Sequence, residues 1–162
     1  MSNPKPIPEG YHTLTASLVV RDSPRAIDFY KRAFNATERS RFTMPDGKIG
    51  HAELKIGDSI VMLSDECSGA SCRSPEAVGG TTVNLFLYTE NVDSLFNQAV
   101  KAGATVKMPV GDMFWGDRFG QLTDPFGHCW SIATHKEDVA PEEMQRRAAT
   151  EMAKMAQRAR QG

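Results

Sequence analysis

His51, Glu53 and Lys55 alternate with Ala52, Leu54 and Ile56 in GHAELKIG, residues 50–57. In a strand, that alternation puts the polar side chains on one face and the apolar ones on the other. A histidine and a carboxylate two apart on one face can work as an acid–base pair, with the carboxylate orienting the imidazole. The same two groups could instead supply two ligands of a metal site. The pattern also fits the wet face of a half-exposed strand. A second stretch, MFWGDRFGQ (113–121), offers Trp115 as a pocket wall that stacks on a planar ligand and Arg118 as a partner for a carboxylate or phosphate. Asp117 and Gln121 add polar contacts there. The alternative is a turn in which Trp115 packs and Asp117 pairs with Arg118 at the surface.

DPFGHCWSIATH (124–135) holds two histidines, a cysteine and a serine. Alternation places Cys129, Ser131 and Ala133 on one face and His128, Trp130, Ile132 and Thr134 on the other. His128 and Cys129 therefore point apart and cannot chelate one ion from a regular strand. Trp130 and Ile132 are expected in the core, under a helix. Along TVNLFLYT (82–89), Asn84, Phe86 and Tyr88 share a face and would give a pocket an amphipathic lining. Cys67 and Cys72 lie in a Ser/Gly-rich stretch with no second Cys or His pair at a spacing that completes a zinc site, and are expected to be mobile surface thiols. His12 and His135 are expected at the surface. No nucleophile elbow, phosphate loop or dinucleotide-binding glycine pattern occurs.

These residues are carried by a recurring pattern. An N-terminal arm (1–12) holds three prolines and precedes a β-rich run, TLTASLVV, and an amphipathic helix, PRAIDFYKRAFNA. Three strand candidates follow, at 37–44, 49–56 and 59–64, with PDGK and GD as turns. After a Ser/Gly-rich linker (65–80) the order begins again: a strand at 82–89, the helix NVDSLFNQAVKAGA, then strands at 105–110, 118–123 and 128–134. The chain thus reads as two β-α-β-β-β modules, 13–64 and 81–135, an internal repeat whose sheets share an interface. A last segment, 136–162, contains a helix with Met144, Ala148, Met152, Met155 and Ala159 in one apolar stripe. That stripe is expected to pack on the body of the protein or on a second subunit.

The paired modules, with RAIDFYKRAF in the first helix and DPFGH before the last strand, resemble the vicinal oxygen chelate superfamily. This is the glyoxalase, bleomycin-resistance and extradiol-dioxygenase group. The resemblance spans residues 13–135, and the block from FWGDRFGQLTDPFGHCW onward is similar to its PhnB-like branch. It implies an α+β fold in which two βαβββ modules form a cup-shaped, partly closed barrel. It also implies four inward positions that hold a divalent ion in metal-dependent relatives. Matched by strand and turn, those positions are Thr15, Met62, Asn84 and Ser131. Hydroxyls, a thioether and a neutral amide suit no common divalent ion, so the expectation is no metal and no cofactor.

Composition limits the function further. The 162 residues carry a net charge of −1 with scattered Lys and Arg, which points away from nucleic-acid and membrane partners. No signal-like apolar run and an odd number of cysteines point to reduced thiols in the cytoplasm. The expected function is metal-independent binding of a small, partly apolar molecule in the cup, as in the antibiotic-sequestering members of the superfamily. Asn84, Phe86, Tyr88, Trp115, Arg118 and Gln121 would bind it. The alternative is a lyase or isomerase in which His51, oriented by Glu53, moves a proton next to a carbonyl. A homodimer is expected in either case.

Overall fold

In the computed structural model, which describes residues 4–68 and 72–160, the repeat is explicit. The first module runs β1 (Ala16–Val20), α1 (Ser23–Phe34), β2 (Thr37–Thr43), β3 (Ile49–Ile56) and β4 (Ser59–Asp65). A short helix, α2 (Pro75–Val78), stands in the linker. The second module follows as β5 (Asn84–Tyr88), α3 (Val92–Ala102), β6 (Thr105–Asp112), β7 (Asp117–Thr123) and β8 (Cys129–His135). The chain ends in α4 (Pro141–Ala159). Each module makes a four-stranded mixed sheet, ordered β1-β4-β3-β2 and β5-β8-β7-β6, in which the first strand lies at one edge and pairs in parallel with the last. The architecture is α+β, and the sheets form a cup without closing into a barrel.

The two module helices start and stop on local signals. Asp22 and Asn91 cap α1 and α3 by accepting from the backbone N–H of Arg25 and Ser94. Asn35, in the left-handed region, ends α1, and Gly103 ends α3. Their apolar faces merge into one core. Ala26, Ile27, Phe29, Tyr30, Ala33 and Phe34 of α1 bury against Ala52, Leu54 and Leu63 of the first sheet, and also against Trp130 of the second. At roughly 1.5–3 kcal/mol per large buried apolar side chain, this shared core is the main force joining the modules. Gln98 of α3 reinforces it, donating to the backbone oxygens of Arg32 and Ala33 and to Asn35.

Asp124 is the polar knot between the modules. It is buried, accepts from Tyr30 of α1 and Trp130 of β8, and closes the DPFG turn through the N–H groups of Phe126 and His128. Gly127 of that turn has φ +88°, and a Cβ there would strike Pro75 of α2, so glycine is required twice over.

Two expectations change. Cys67 and Cys72 are not separate, reduced thiols: Cys67 N–H donates to Cys72 O at 3.3 Å, and the two sulfurs form a disulfide. The described part of the linker is also more ordered than a Ser/Gly-rich run implies. Ser74 caps α2, and Glu66 accepts from both the backbone and the hydroxyl of Ser74 while pairing with Arg21. The C-terminal stripe is only partly covered: Met144 and Ala148 are half-buried, while Met152 and Met155 are exposed.

Candidate functional site

Each sheet presents one face to the helices and leaves the other open. In the second sheet the register decides which side chains share the open face. Asn84, Phe86 and Tyr88 of β5 lie beside Cys129, Ser131 and Ala133 of β8. Those in turn lie opposite Thr123, Gln121 and Phe119 of β7, with Asp117 opposite His135. The helix-facing side is identified independently, because Thr134 accepts from Val92 N–H at the start of α3.

The open face has three zones. At one end, Asn84 Nδ2 and Gln121 Nε2 both donate to the fully buried Ser131 Oγ, at 2.6 and 3.1 Å. A recess of about 170 Å³ lies against Asn84 and Gln121, bordered by Thr82, Lys107 and Cys129. The middle is aromatic. Phe86 lies 4.9 Å from Tyr88 and 5.7 Å from Phe119 between ring centroids, and Trp115 meets Phe119 edge-on at 5.6 Å. Phe86 and Tyr88 remain 50% and 62% exposed, a high value for aromatic side chains in the middle of a domain. At the far end, the buried Asp117 carboxylate gathers three donors. Oδ1 takes His135 Nδ1 at 2.8 Å, and Oδ2 takes Tyr88 Oη and Trp115 Nε1, each at 3.2 Å. Desolvation, then the Asp117 charge, pushes the Tyr88 phenol up from its ordinary value. Asp117 and Asp138 together raise the His135 imidazole.

Five of the six residues expected to bind a ligand (Asn84, Phe86, Tyr88, Trp115 and Gln121) are brought to this side of the second sheet. Arg118 is not among them. It points to the helix side and grips Asp93 of α3 with two hydrogen bonds of 2.7 Å, plus one to Asp112 at 3.1 Å. These two carboxylates raise the guanidinium, and Arg118 in turn holds Asp93 below its usual range. The Asp117–Arg118 surface pair is replaced by two separate networks on opposite faces. Asp117 and His135 as a unit escaped the sequence reading. The contact crosses from β7 to β8, and only the alternation that puts Asp117 in phase with Phe119 and Gln121 hinted at it.

His51 and Glu53 do lie on the open face of the first sheet, with Glu53 opposite Met62. His51 Nε2 and Glu53 Oε1 meet at 3.4 Å, a long contact, and Arg39 approaches the same carboxylate at 3.9 Å. Glu53 is held below the usual carboxylate range chiefly by the Tyr11 hydroxyl, which the N-terminal arm brings to it, and Arg39 stacks over the Tyr11 ring.

The four positions matched to a divalent ion do not form a ligand set. Thr15 donates to the backbone oxygen of His12, Met62 offers a thioether, and Asn84 and Ser131 satisfy each other. No anionic or imidazole donor stands among them, so the residues do not fit a metal.

A family model described as the Glyoxalase/Bleomycin resistance protein/Dioxygenase superfamily matches residues 12–132. An uncharacterised protein of Mycobacterium bovis is 45% identical over 136 residues, covering 82% of this chain and 89% of that one. The crystal structure of TioX from Micromonospora sp. ML1 superposes with a TM-score of 0.62 at 30% identity, over 76% of this chain and 98% of that one. A PhnB protein of Bacillus cereus shares the fold at 19% identity, with a TM-score of 0.60 over 76% and 99% of the two chains.

Proposed function

The chain belongs to the Glyoxalase/Bleomycin resistance protein/Dioxygenase superfamily, and from that premise we propose that it binds a small, partly apolar molecule on the open face of its second sheet, without a metal. The observation that carries this proposal is the face itself: exposed aromatic rings between an amide–hydroxyl trio and a polar cluster. Such a face supplies shape, stacking area and a few orienting hydrogen bonds, which are the requirements of a small-molecule site. Asn84 and Gln121 would orient the ligand at one end, and Phe86, Tyr88 and Trp115 would stack on it. The recess of about 170 Å³ is smaller than the roughly 300–1,000 Å³ usual for ligand pockets. One chain therefore offers a floor, and a second copy, in a homodimer, supplies the lid. The exposed Met152 and Met155 of α4 favour such an association. A cytoplasmic location belongs to the same proposal.

The test is a thermal-shift screen of planar aromatic compounds against tag-free protein, run with and without chelator. A binder raises stability by RT ln(1 + [L]/Kd). The expected result is a chelator-insensitive hit that Phe86→Ala and Asn84→Ala both weaken. Hits that vanish with chelator, or that ignore both substitutions, would overturn the proposal.

The His51–Glu53 contact favours a second function, proton transfer next to a ligand carbonyl in a lyase or isomerase. If His51→Ala leaves turnover of every ligand found unchanged, that function is excluded.

A further inference from the structure

The polar cluster at the far end of the second sheet holds a carboxylate in a place where a ligand could hold one. Asp117 fixes His135 through Nδ1, so the second nitrogen, Nε2, is the one that faces outward. Nε2 meets Asp138 Oδ1 at 3.0 Å. Asp138 is the opposite of Asp117: its side chain is fully exposed, and it has no other hydrogen bond or ion pair among the described residues. An exposed carboxylate held by one contact is weakly held. The segment that carries it is anchored separately, because Lys136 and Glu137 N–H both donate to Gly116 O and Glu137 pairs with Arg147. Asp138 can therefore swing away without releasing the chain. Tyr88 and Trp115 bind the other oxygen of the same Asp117, which places the aromatic floor one carboxylate away from His135.

We propose that Asp138 is a displaceable placeholder, and that the site takes an aromatic carboxylate whose ring lies on Phe86 and Tyr88 and whose carboxylate replaces Asp138 on His135. The inference rests on the proposal that this face binds a ligand, and it names the ligand's chemical class. The exchange conserves charge. Asp117 and protonated His135 form a neutral pair, and one carboxylate leaves as another arrives. The groups facing His135 are Asp117, Tyr88 and Trp115 from the sheet side and Asp138 from its own segment. The two carboxylates raise its titration, so the imidazolium form extends toward neutral pH. Binding of the carboxylate is strongest below that titration and is lost as pH rises through it.

The experiment uses 2-naphthoate, with 2-naphthamide as its neutral counterpart, followed by calorimetry and by the His135 imidazole resonances. The expected results are that naphthoate binds at least tenfold tighter than naphthamide at pH 6, and that this preference disappears once His135 has titrated. Asp138→Ala, at an exposed position, should tighten naphthoate about three- to tenfold and leave naphthamide unchanged. His135→Gln should abolish the preference. Equal affinity for the two probes, with both weakened by Phe86→Ala, would overturn the carboxylate inference while supporting a ligand face. An Asp138→Ala variant no tighter than the parent would overturn it as well. Failure of both probes to bind would overturn the inference and count against the proposed face.

Discussion

Replacing Asp124 should cost more than replacing any other polar side chain in the protein. Its carboxylate is 4% exposed and satisfies four donors: Tyr30 Oη at 2.7 Å, and Trp130 Nε1 and the N–H groups of Phe126 and His128 at 2.9 Å each. In Asp124→Ala all four donors lose their partner. Tyr30 is fully buried and Trp130 nearly so, and the two N–H groups are fixed in the turn. Hydrogen bonds to a charged group contribute about 1.5–3 kcal/mol, and a stranded buried donor costs about 1–3 kcal/mol. With partial relaxation of the turn, the expected loss is about 4 kcal/mol, against a total stability of about 5–15 kcal/mol. Tyr30→Phe removes one of the four bonds, and the expected loss is about 1–2 kcal/mol. Urea unfolding followed by tryptophan fluorescence measures both. At about 2–4 °C per kcal/mol for a chain of this size, the Tm falls by roughly 10 °C or more for Asp124→Ala and by a few degrees for Tyr30→Phe. In the Tyr30→Phe/Asp124→Ala double variant the losses should fall short of additive, since both remove the same bond. A loss of under about 1 kcal/mol for Asp124→Ala would refute the assignment of Asp124 as the knot between the modules.

Three further outcomes follow from local geometry. Gly120→Ala puts a Cβ 2.7 Å from the Phe96 ring of α3 and 3.0 Å from Val110, so a loss of about 1–3 kcal/mol is expected in urea unfolding. Arg41 and Lys31 lower Glu38 from 4.5 to about 2. Its contribution is therefore present above the ordinary carboxylate value and is lost as pH falls toward 2, and for a surface pair it stays under about 1 kcal/mol. The stability deficit of Glu38→Gln should accordingly appear at neutral pH and vanish near pH 2. Burial and Asp124 push the Tyr30 phenol well above its ordinary value of 10. Its contribution is complete below that value and lost above it, so Tyr30→Phe should reduce the sensitivity of stability to pH above about 10 in alkaline unfolding.

Much of the fold is legible in the sequence because it rests on short-range pattern. The 3.6-residue spacing of Ala26, Ile27, Tyr30, Ala33 and Phe34 defines α1, and the strict alternation of His51–Ile56 gives both the span and the faces of β3. The same alternation puts Trp130 and Ile132 in the core, where they lie. The site was legible only in part. Arg118 and Gln121 are an odd number apart, so a regular β7 cannot present both to one ligand, and the strand periodicity already required a choice between them. Two other features depend on where distant segments meet. His135 reaches Asp117 through the β7–β8 register, and the path of the arm brings Tyr11 to Glu53. Neither contact is written in a local period.

We propose that the positions holding an ion in metal-dependent relatives hold none in this chain, and that the open sheet face binds its ligand without one. Metal content per chain tests it most directly, by elemental mass spectrometry on tag-free protein purified without chelator and then washed briefly with one. The expected result is less than about a tenth of an equivalent of zinc or any transition metal, because Thr15, Met62, Asn84 and Ser131 offer neither charge nor imidazole. Close to one tightly held equivalent would contradict it.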